Sequence, residues 1–330
     1  MIIVTGGAGF IGSCLVSALS ARGCVSVVSD RLRSGDKWRN LHHSPPLAIV
    51  PPEELEAFLA QAGTVDAIFH LGAVSATTAR DGDLVWQSNV ALSTMLWDWC
   101  ARNGTRLIYA SSAATYGAAD RPELFRDGLE SLSGLEPMNL YGWSKHAFDL
   151  HVRRETGRGH APPQWAGLKF FNVYGPNEYH KGSMISVVKV KYDEVVAGHP
   201  ARLFRSDRSD IADGQQKRDF IWVGDIVDVM LWLYDHPEVS GLFNCGTGEA
   251  RSYLDLAYAV CDAAGRPRDV AFTEMPEALR GQYQSYTCAD MTRIRAAGYD
   301  RPFTALEEGI ARYVRGYLAP GRDAFFRISL

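Results

Sequence analysis

Val4-Thr5-Gly6-Gly7-Ala8-Gly9-Phe10-Ile11-Gly12 directly follows the apolar Met1-Ile2-Ile3, and its reading decides the fold. An apolar run, a glycine-rich turn and then an alanine- and leucine-bearing segment read as strand, tight loop and helix. Gly6 and Gly9 let the backbone turn sharply and approach a pyrophosphate. Gly12 lets the helix pack closely on the strand, and the helix N-terminus offers free N–H groups to the anion. Glycine-rich turns are common, so the pattern alone is weak. Its position after a strand strengthens it, as does Asp30 at the end of the next apolar run, Val25-Ser26-Val27-Val28-Ser29.

Composition fits a soluble enzyme. The 330 residues allow two domains or one large domain with a smaller lobe. Hydrophobic residues make up 46%, enough for a sizeable core, and a net charge of −4 creates no field that attracts nucleic acid or membrane. The longest apolar runs fall well short of the roughly 20 residues that span a bilayer. Met1 leads straight into the first strand, which reads as leaving no room for a signal peptide, so a cytoplasmic location is expected. Six cysteines are scattered without CxxC spacing and read as reduced, buried thiols. Nine histidines show no HxH or HExxH spacing, so no metal site is expected.

The first half alternates short apolar runs with helical segments, the pattern of a doubly wound parallel sheet. Strands are expected at 1–5, 25–30, 67–71, 106–110 and 166–171, with helices at 11–22, 53–62, 85–103 and 141–155. Four prolines in 42–52 mark that segment as loop. Later, 184–197 reads as helix, 202–204 as a short strand, 207–216 as a polar surface loop, 220–236 as helix and 242–246 as a returning strand. The division expected is a Rossmann-type dinucleotide domain, 1–172 plus 218–248, and a smaller C-terminal α/β substrate lobe, 173–217 plus 249–330. Trp86, Trp97 and Trp99 on one helix read as core or subunit interface rather than a ligand platform, their number on one helix tipping the reading towards an interface. The tail 320–330 is apolar enough to dock on its own chain or a neighbour.

Tyr141-Gly142-Trp143-Ser144-Lys145 is the second strong signal. Four residues apart, Tyr141 and Lys145 share one helix face. An ammonium beside a phenol favours the phenolate and lowers its pKa from near 10, which makes the tyrosine a usable acid or base near neutral pH. YxxxK alone occurs often by chance. Here a strand ending in Ser111-Ser112 lies between the glycine turn and the pair, and a serine at that edge can hydrogen-bond both a substrate oxygen and the tyrosine.

Together these residues resemble the extended short-chain dehydrogenase/reductases, the nucleotide-sugar epimerases and dehydratases, over essentially the whole chain. The matching signatures are TGGAGFIG (5–12), His70-Leu71-Gly72-Ala73, Asn89, YASSAATYG (109–117), PMNLYGWSK (137–145), FNVYGP (171–176), RDFIWVGD (218–225) and FNCGTG (243–248). The stretch Glu178-Tyr179-His180-Lys181-Gly182-Ser183-Met184 and the late segment 283–299 resemble the ADP-L-glycero-D-manno-heptose 6-epimerase family in particular.

That resemblance implies an isomerase that oxidises C6 of an ADP-linked heptose transiently, inverts it, and feeds lipopolysaccharide inner-core assembly. It implies Tyr141 and Lys181 as the two acid–base groups, Ser112 as the catalytic serine, and Lys145 as the residue that holds the cofactor ribose and tunes the tyrosine. A lysine in such a stretch is ordinarily a solvated surface residue, and only the HKGSM context gives Lys181 a role. The implied cofactor set is Gly6, Gly9, Phe10, Ile11, Gly12, Asp30, Arg31, Lys37, Leu71, Gly72, Ala73, Val74, Ser75, Asn89, Tyr141, Lys145, Val173 and Lys181. The implied substrate contacts are Asn172, Ser183, Val190, Phe204, Arg205, Ser206, Asp207, Arg218 and Tyr283. Arg218 is the residue expected to grip the diphosphate, a task its fork of donors suits. Leu71 stands where the family has a glutamate, Val190 where it has a histidine and Gln282 where it has an arginine, and the 207–216 loop is longer than usual.

Asp30 taken alone favours NAD through the adenosine ribose hydroxyls. Arg31, Arg33 and Lys37 follow at once and can neutralise a 2′-phosphate, and the resemblance implies NADP, so NADP is expected with NAD the alternative. The family also implies a homo-oligomer, often a pentamer. His70, ending an apolar strand, reads as structural or phosphate-adjacent. Three other functions fit the motifs less well. A UDP-hexose 4-epimerase lacks HKGSM, and a non-catalytic NADP-binding regulator of this fold would lack the Tyr/Lys pair. A 4,6-dehydratase would carry an Asp-Glu pair where Ala113 and Ala114 stand.

Overall fold

The computed structural model describes residues 1–277 and 284–321. Its main sheet has seven strands, all parallel, in the order β10-β6-β5-β4-β1-β2-β3. They are β1 (Ile2–Thr5), β2 (Ser26–Ser29), β3 (Ala48–Val50), β4 (Ala67–His70), β5 (Arg106–Ser112), β6 (Trp165–Phe170) and β10 (Gly241–Cys245). Fully buried strands such as Ile2–Thr5 carry near-continuous apolar runs because helices cover both faces. On one face α1 (Phe10–Ala21) and α7 (Val223–Asp235) pack with Val4, Phe69 and Leu168. On the other, α2 (Leu55–Gln61), α4 (Leu92–Asn103) and α5 (Leu140–Gly157) close over Ile3, Ile68 and Leu107. Strand order reverses between β1 and β4, and a crevice opens at such a switch point beyond the carboxyl ends of the strands.

Outside the main sheet, β7 (Asn172–Tyr174) pairs parallel with β9 (Lys217–Trp222), which pairs antiparallel with β11 (Ala250–Ser252). Beyond them, β8 (Ala201–Phe204) and β12 (Val270–Thr273) form a parallel two-stranded ribbon beside α6 (Val187–Val196) and α8 (Tyr253–Ala263). A short helix, α3 (Gly82–Trp86), runs through a π-turn at Gln87–Ala91 into α4.

Three local expectations are corrected. The segment 42–52 contains β3, seated between the proline pairs 45–46 and 51–52. Proline is tolerated there because β3 is an edge strand. The run expected as helix over 220–236 is strand to Trp222 and helix only from Val223, with no side-chain cap marking the change. Trp97 belongs to the core, fully shielded and edge-on to Trp165 at 5.7 Å, so it cannot face a second subunit. Trp86 alone of that set is largely exposed, its ring 5.6 Å from that of Trp143. No helix among the described residues is long and apolar enough to cross a membrane.

Candidate active site

The glycine turn is built as a cradle. Gly6 adopts φ +67°, and a Cβ there would lie 2.7 Å from the Gly72 backbone nitrogen at the end of β4. A Cβ on Gly12 would come within 2.2 Å of the Gly6 carbonyl oxygen. Both positions are therefore closed to any other residue. No side chain caps α1 and no acidic residue stands in its first turn, which leaves its N–H groups for an anion. The Asp30 carboxylate, at the end of β2, accepts from the Ala8 N–H at 3.0 Å and so fixes the turn against the neighbouring strand. These features fit a dinucleotide pyrophosphate and its adenosine ribose.

The basic cluster after Asp30 is more committed than the sequence shows. Lys37 donates to Asp30 Oδ1 at 2.5 Å and to the Arg31 carbonyl at 3.2 Å. Arg31 pairs with Glu53 at 3.0 Å, and Arg33 holds a left-handed φ of +56°. Lys37 and Asp30 therefore sit together beside the glycine turn, with Arg31 turned to the Glu53 carboxylate.

Leu71, Gly72, Ala73 and Val74 follow β4 half-buried, with Ser75 exposed. Asn89 does not face outward from this turn but holds it: its Oδ1 accepts from the Val74 N–H at 2.8 Å and its Nδ2 donates to the Val74 carbonyl and to Ser144 Oγ. His70 is buried in a hydrogen-bonded chain with Thr5, 2.7 Å, and Ser93, 2.8 Å. Burial, reinforced by the Lys145 charge, pushes its imidazole down to about 3. It is a neutral structural residue, not a proton donor.

At the end of β5, Ser112 Oγ accepts from the Ala114 N–H at 3.1 Å, and the Ser112 side chain acts to lower the Tyr141 phenol. Asn139 caps α5, accepting from Gly142 at 2.8 Å, which sets Tyr141 and Lys145 on the first turns of that helix. Lys145 donates to the Ala110 carbonyl at 2.7 Å, and burial pushes its ammonium down to about 8. The expected lowering of the tyrosine by this lysine is corrected. Burial raises the Tyr141 phenol above its ordinary value, the Ser112 side chain pulls the other way, and Lys145 is bound to a backbone carbonyl instead.

Lys181 lies in the 3₁₀ segment Tyr179–Met184, which kinks at Gly182 with φ +55°. Its ammonium stands 5.5 Å from the ring centroid of Phe10, the first residue of α1. Burial lowers it, and the nearby Glu178 carboxylate opposes that effect. Two asparagines that the sequence did not single out tie this segment to the glycine turn. Asn40 donates to the Ala8 carbonyl at 3.0 Å and to the Asn177 carbonyl at 3.3 Å, while Asn177, at a left-handed φ of +71°, donates to Ser13 at 2.9 Å. Asparagine tolerates the left-handed conformation that Asn177 adopts, but only the fold shows that it does so.

The remaining predicted residues scatter. Asn172 is exposed on β7, where its Oδ1 accepts from Thr287 at 3.4 Å, and Val173 is half-buried beside it. Ser183 is exposed, and Val190 lies exposed on α6. Phe204 ends β8, where Arg205 pairs with Asp213 at 2.7 Å and Ser206 donates its N–H to the same carboxylate. Asp207 is exposed. Arg218 is buried on β9, donating to the Lys217 and Gln284 carbonyls, with its guanidinium 5.6 Å from the Tyr253 ring. Tyr283 and Gln282 lie outside the described residues, as does the tail from 322. Among the described residues no group of His, Cys, Asp or Glu could hold a metal ion.

Comparison with known proteins agrees with this geometry. Residues 2–246 match the model of the NAD dependent epimerase/dehydratase family. An ADP-L-glycero-D-manno-heptose-6-epimerase from Nitratidesulfovibrio vulgaris is 47% identical, over 97% of this chain and 98% of its own. The solved ADP-L-glycero-D-manno-heptose-6-epimerase of Helicobacter pylori superposes with a TM-score of 0.78 at 26% identity, covering 96% of this chain and 95% of that one. The UDP-glucose 4-epimerase of Thermus thermophilus, solved with NAD, gives 0.74 at 27% identity over 100% and 99%. The chain thus belongs to the NAD dependent epimerase/dehydratase family, on the branch of the ADP-L-glycero-D-manno-heptose-6-epimerases.

Proposed function

We propose that this protein interconverts ADP-D-glycero-D-manno-heptose and ADP-L-glycero-D-manno-heptose at C6, with NADP as its dinucleotide, in inner-core heptose biosynthesis. The observation that supports the reading is Ser112 at the end of β5 with the Tyr141/Lys145 pair at the start of α5, and Lys181, a second burial-lowered amine, on a separate segment beside Phe10 of α1. Inverting a secondary alcohol through a ketone calls for a proton group on each face unless the ketone turns over within the site.

In this reading Gly6, Gly9, Phe10, Ile11 and Gly12 hold the pyrophosphate, Asp30, Arg31 and Lys37 the adenosine ribose and its phosphate, and Lys145 with Val173 the nicotinamide half. The bound nicotinamide supplies oxidation and re-reduction at C6. Tyr141 takes the C6 hydroxyl proton from one face, with Ser112 holding the same oxygen. Lys181 gives or takes the proton on the opposite face; it needs a depressed pKa for this, in line with its burial. Asn172, Ser183 and Arg218 bind the sugar nucleotide. The dinucleotide domain is 1–172 plus 218–248 and the substrate lobe 173–217 plus 249–330. The working form is a cytoplasmic homo-oligomer.

Denaturing the purified protein and identifying the released dinucleotide by mass spectrometry, then comparing turnover of ADP-heptose and UDP-glucose, tests the reading. NADP and selective turnover of the ADP-heptose are expected; NAD alone would overturn the NADP assignment, and turnover of UDP-glucose alone would overturn the substrate.

A further inference from the structure

Directly behind the Tyr141–Lys145 face lies an ion pair that the proton transfers above do not use. Lys169 Nζ on β6 stands 2.9 Å from Asp149 Oδ2 on α5, and both side chains are wholly shielded from solvent. Asp149 follows Lys145 by four residues and Tyr141 by eight, so all three lie along one side of the helix. The carboxylate is held by β5 as well: Ser111 donates to Oδ2 at 2.7 Å and the Tyr109 hydroxyl to Oδ1 at 3.3 Å. Lys169 in turn donates to Thr115 Oγ1 at 2.6 Å, and its ammonium stands 4.9 Å from the Tyr116 ring centroid.

Two apolar side chains of similar volume would fill this space at no electrostatic cost, and a buried ion pair is weak as a stabiliser taken by itself. This pair joins α5, β5 and β6 at the level of the reacting groups. We propose that Asp149 and Lys169 are positioning residues for Tyr141 and Lys145: the pair locks this side of α5 to the sheet, and Lys169 offsets part of the Asp149 charge, which opposes loss of the Tyr141 proton. The inference rests on the reading of Tyr141 as an acid–base group.

The neighbouring groups agree with a local field set by this carboxylate. Asp149 acts to raise Tyr141, Tyr109 and Tyr116, and to raise Lys145 and His146. The charged and titratable groups around the pair are Tyr141, Lys145, His146 and Arg153 from α5, Tyr109 from β5, and Tyr116 from the turn after it. Asp127 and Asp290 face Tyr116 from beyond, and His70 lies on the far side of Lys145.

The test is the pH dependence of kcat/KM in the purified, cofactor-loaded protein. In Lys169→Met the rising acid limb moves to higher pH by about one unit, the size expected for an unpaired charge at roughly 10 Å in a partly shielded interior. Lys169→Arg returns the limb, and so does the double variant Lys169→Met/Asp149→Asn, which removes both charges. A folded Lys169→Met whose limb stays in place, or a double variant displaced as far as the single one, overturns the proposal. Where Lys169→Met does not fold, Asp149→Asn reads the same field with opposite sign, and its limb moves to lower pH; an unmoved limb there overturns the proposal too. Difference ultraviolet titration, wild type minus Tyr141→Phe, follows the Tyr141 phenol directly. If that titration does not coincide with the limb of turnover, the Tyr141 reading fails, independently of what the pair does.

Discussion

Replacing His70 by glutamine should change how the fold responds to acid. The structure holds His70 in one protonation state. Thr5 Oγ1 already accepts from the Gly72 N–H at 3.0 Å, so its hydroxyl proton points to His70 Nδ1. Ser93 Oγ donates to the Asn89 carbonyl at 2.7 Å, so it accepts from His70 Nε2. These directions, inferred from the network, leave Nδ1 as the acceptor of a neutral imidazole. A second proton there would face a hydroxyl hydrogen in a site 1% exposed. The folded pKa is about 3 against an ordinary 6.5. The unfolded chain therefore binds the extra proton between those values, and stability rises with pH across that window and is lost as pH falls through it.

At about 1.4 kcal/mol per pH unit, the site alone costs about 2 kcal/mol at pH 5 and approaches about 5 kcal/mol near pH 3. Glutamine keeps one acceptor and one donor but cannot titrate. Urea denaturation at a series of pH values is the assay. Between pH 6.5 and 4 the wild type should lose stability more steeply than His70→Gln, by up to about 1.4 kcal/mol per unit. Parallel curves for two folded proteins would refute the buried, neutral His70. Because Thr5 ties this chain to Gly72, acid should also release the dinucleotide earlier from wild type than from the variant.

Tyr141→Phe should lower turnover by on the order of 10²–10⁴-fold while the protein keeps its fold and dinucleotide; near wild-type epimerisation would remove the tyrosine from the chemistry. Lys181→Met should retain its dinucleotide yet fail to interconvert the epimers, and equal, undiminished single-turnover rates for both epimers would show that one base serves both faces. Charge reversal in Lys37→Glu should weaken NADP far more than NAD in equilibrium binding, since only NADP carries the extra phosphate. The Asp30 carboxylate, which pairs with Lys37 at 2.5 Å, would be left beside a second acid. Equal losses for the two dinucleotides would count against a 2′-phosphate at this position.

The glycine turn, the strand-to-helix alternation and the Tyr/Lys spacing were legible because each is local: the signal and its consequence lie within one turn of chain. The change from β9 to α7 was not, because apolar residues continue through Trp222 and Val223 without a capping side chain. Nor was β3, three residues whose pairing depends on β2. Charge pattern pointed to Lys37, but only the fold shows it bound to Asp30. The same holds for Tyr141, whose pKa follows from burial and from Lys145 being bound to Ala110, neither visible in YxxxK. The Asn40–Asn177 strut joins residues 137 apart, and the Asp149–Lys169 pair joins a helix to a strand with no motif to mark it.

The central claim is that C6 is inverted by oxidation and re-reduction within one site. It is tested most directly by incubating the purified protein with ADP-D-glycero-D-manno-heptose in deuterium oxide, with no dinucleotide added, and following C6 by NMR. The account predicts conversion to the L-glycero epimer with the original hydrogen retained at C6, because that hydrogen never exchanges with solvent. Inversion with solvent deuterium at C6, or no inversion by a protein that carries its dinucleotide, would contradict it.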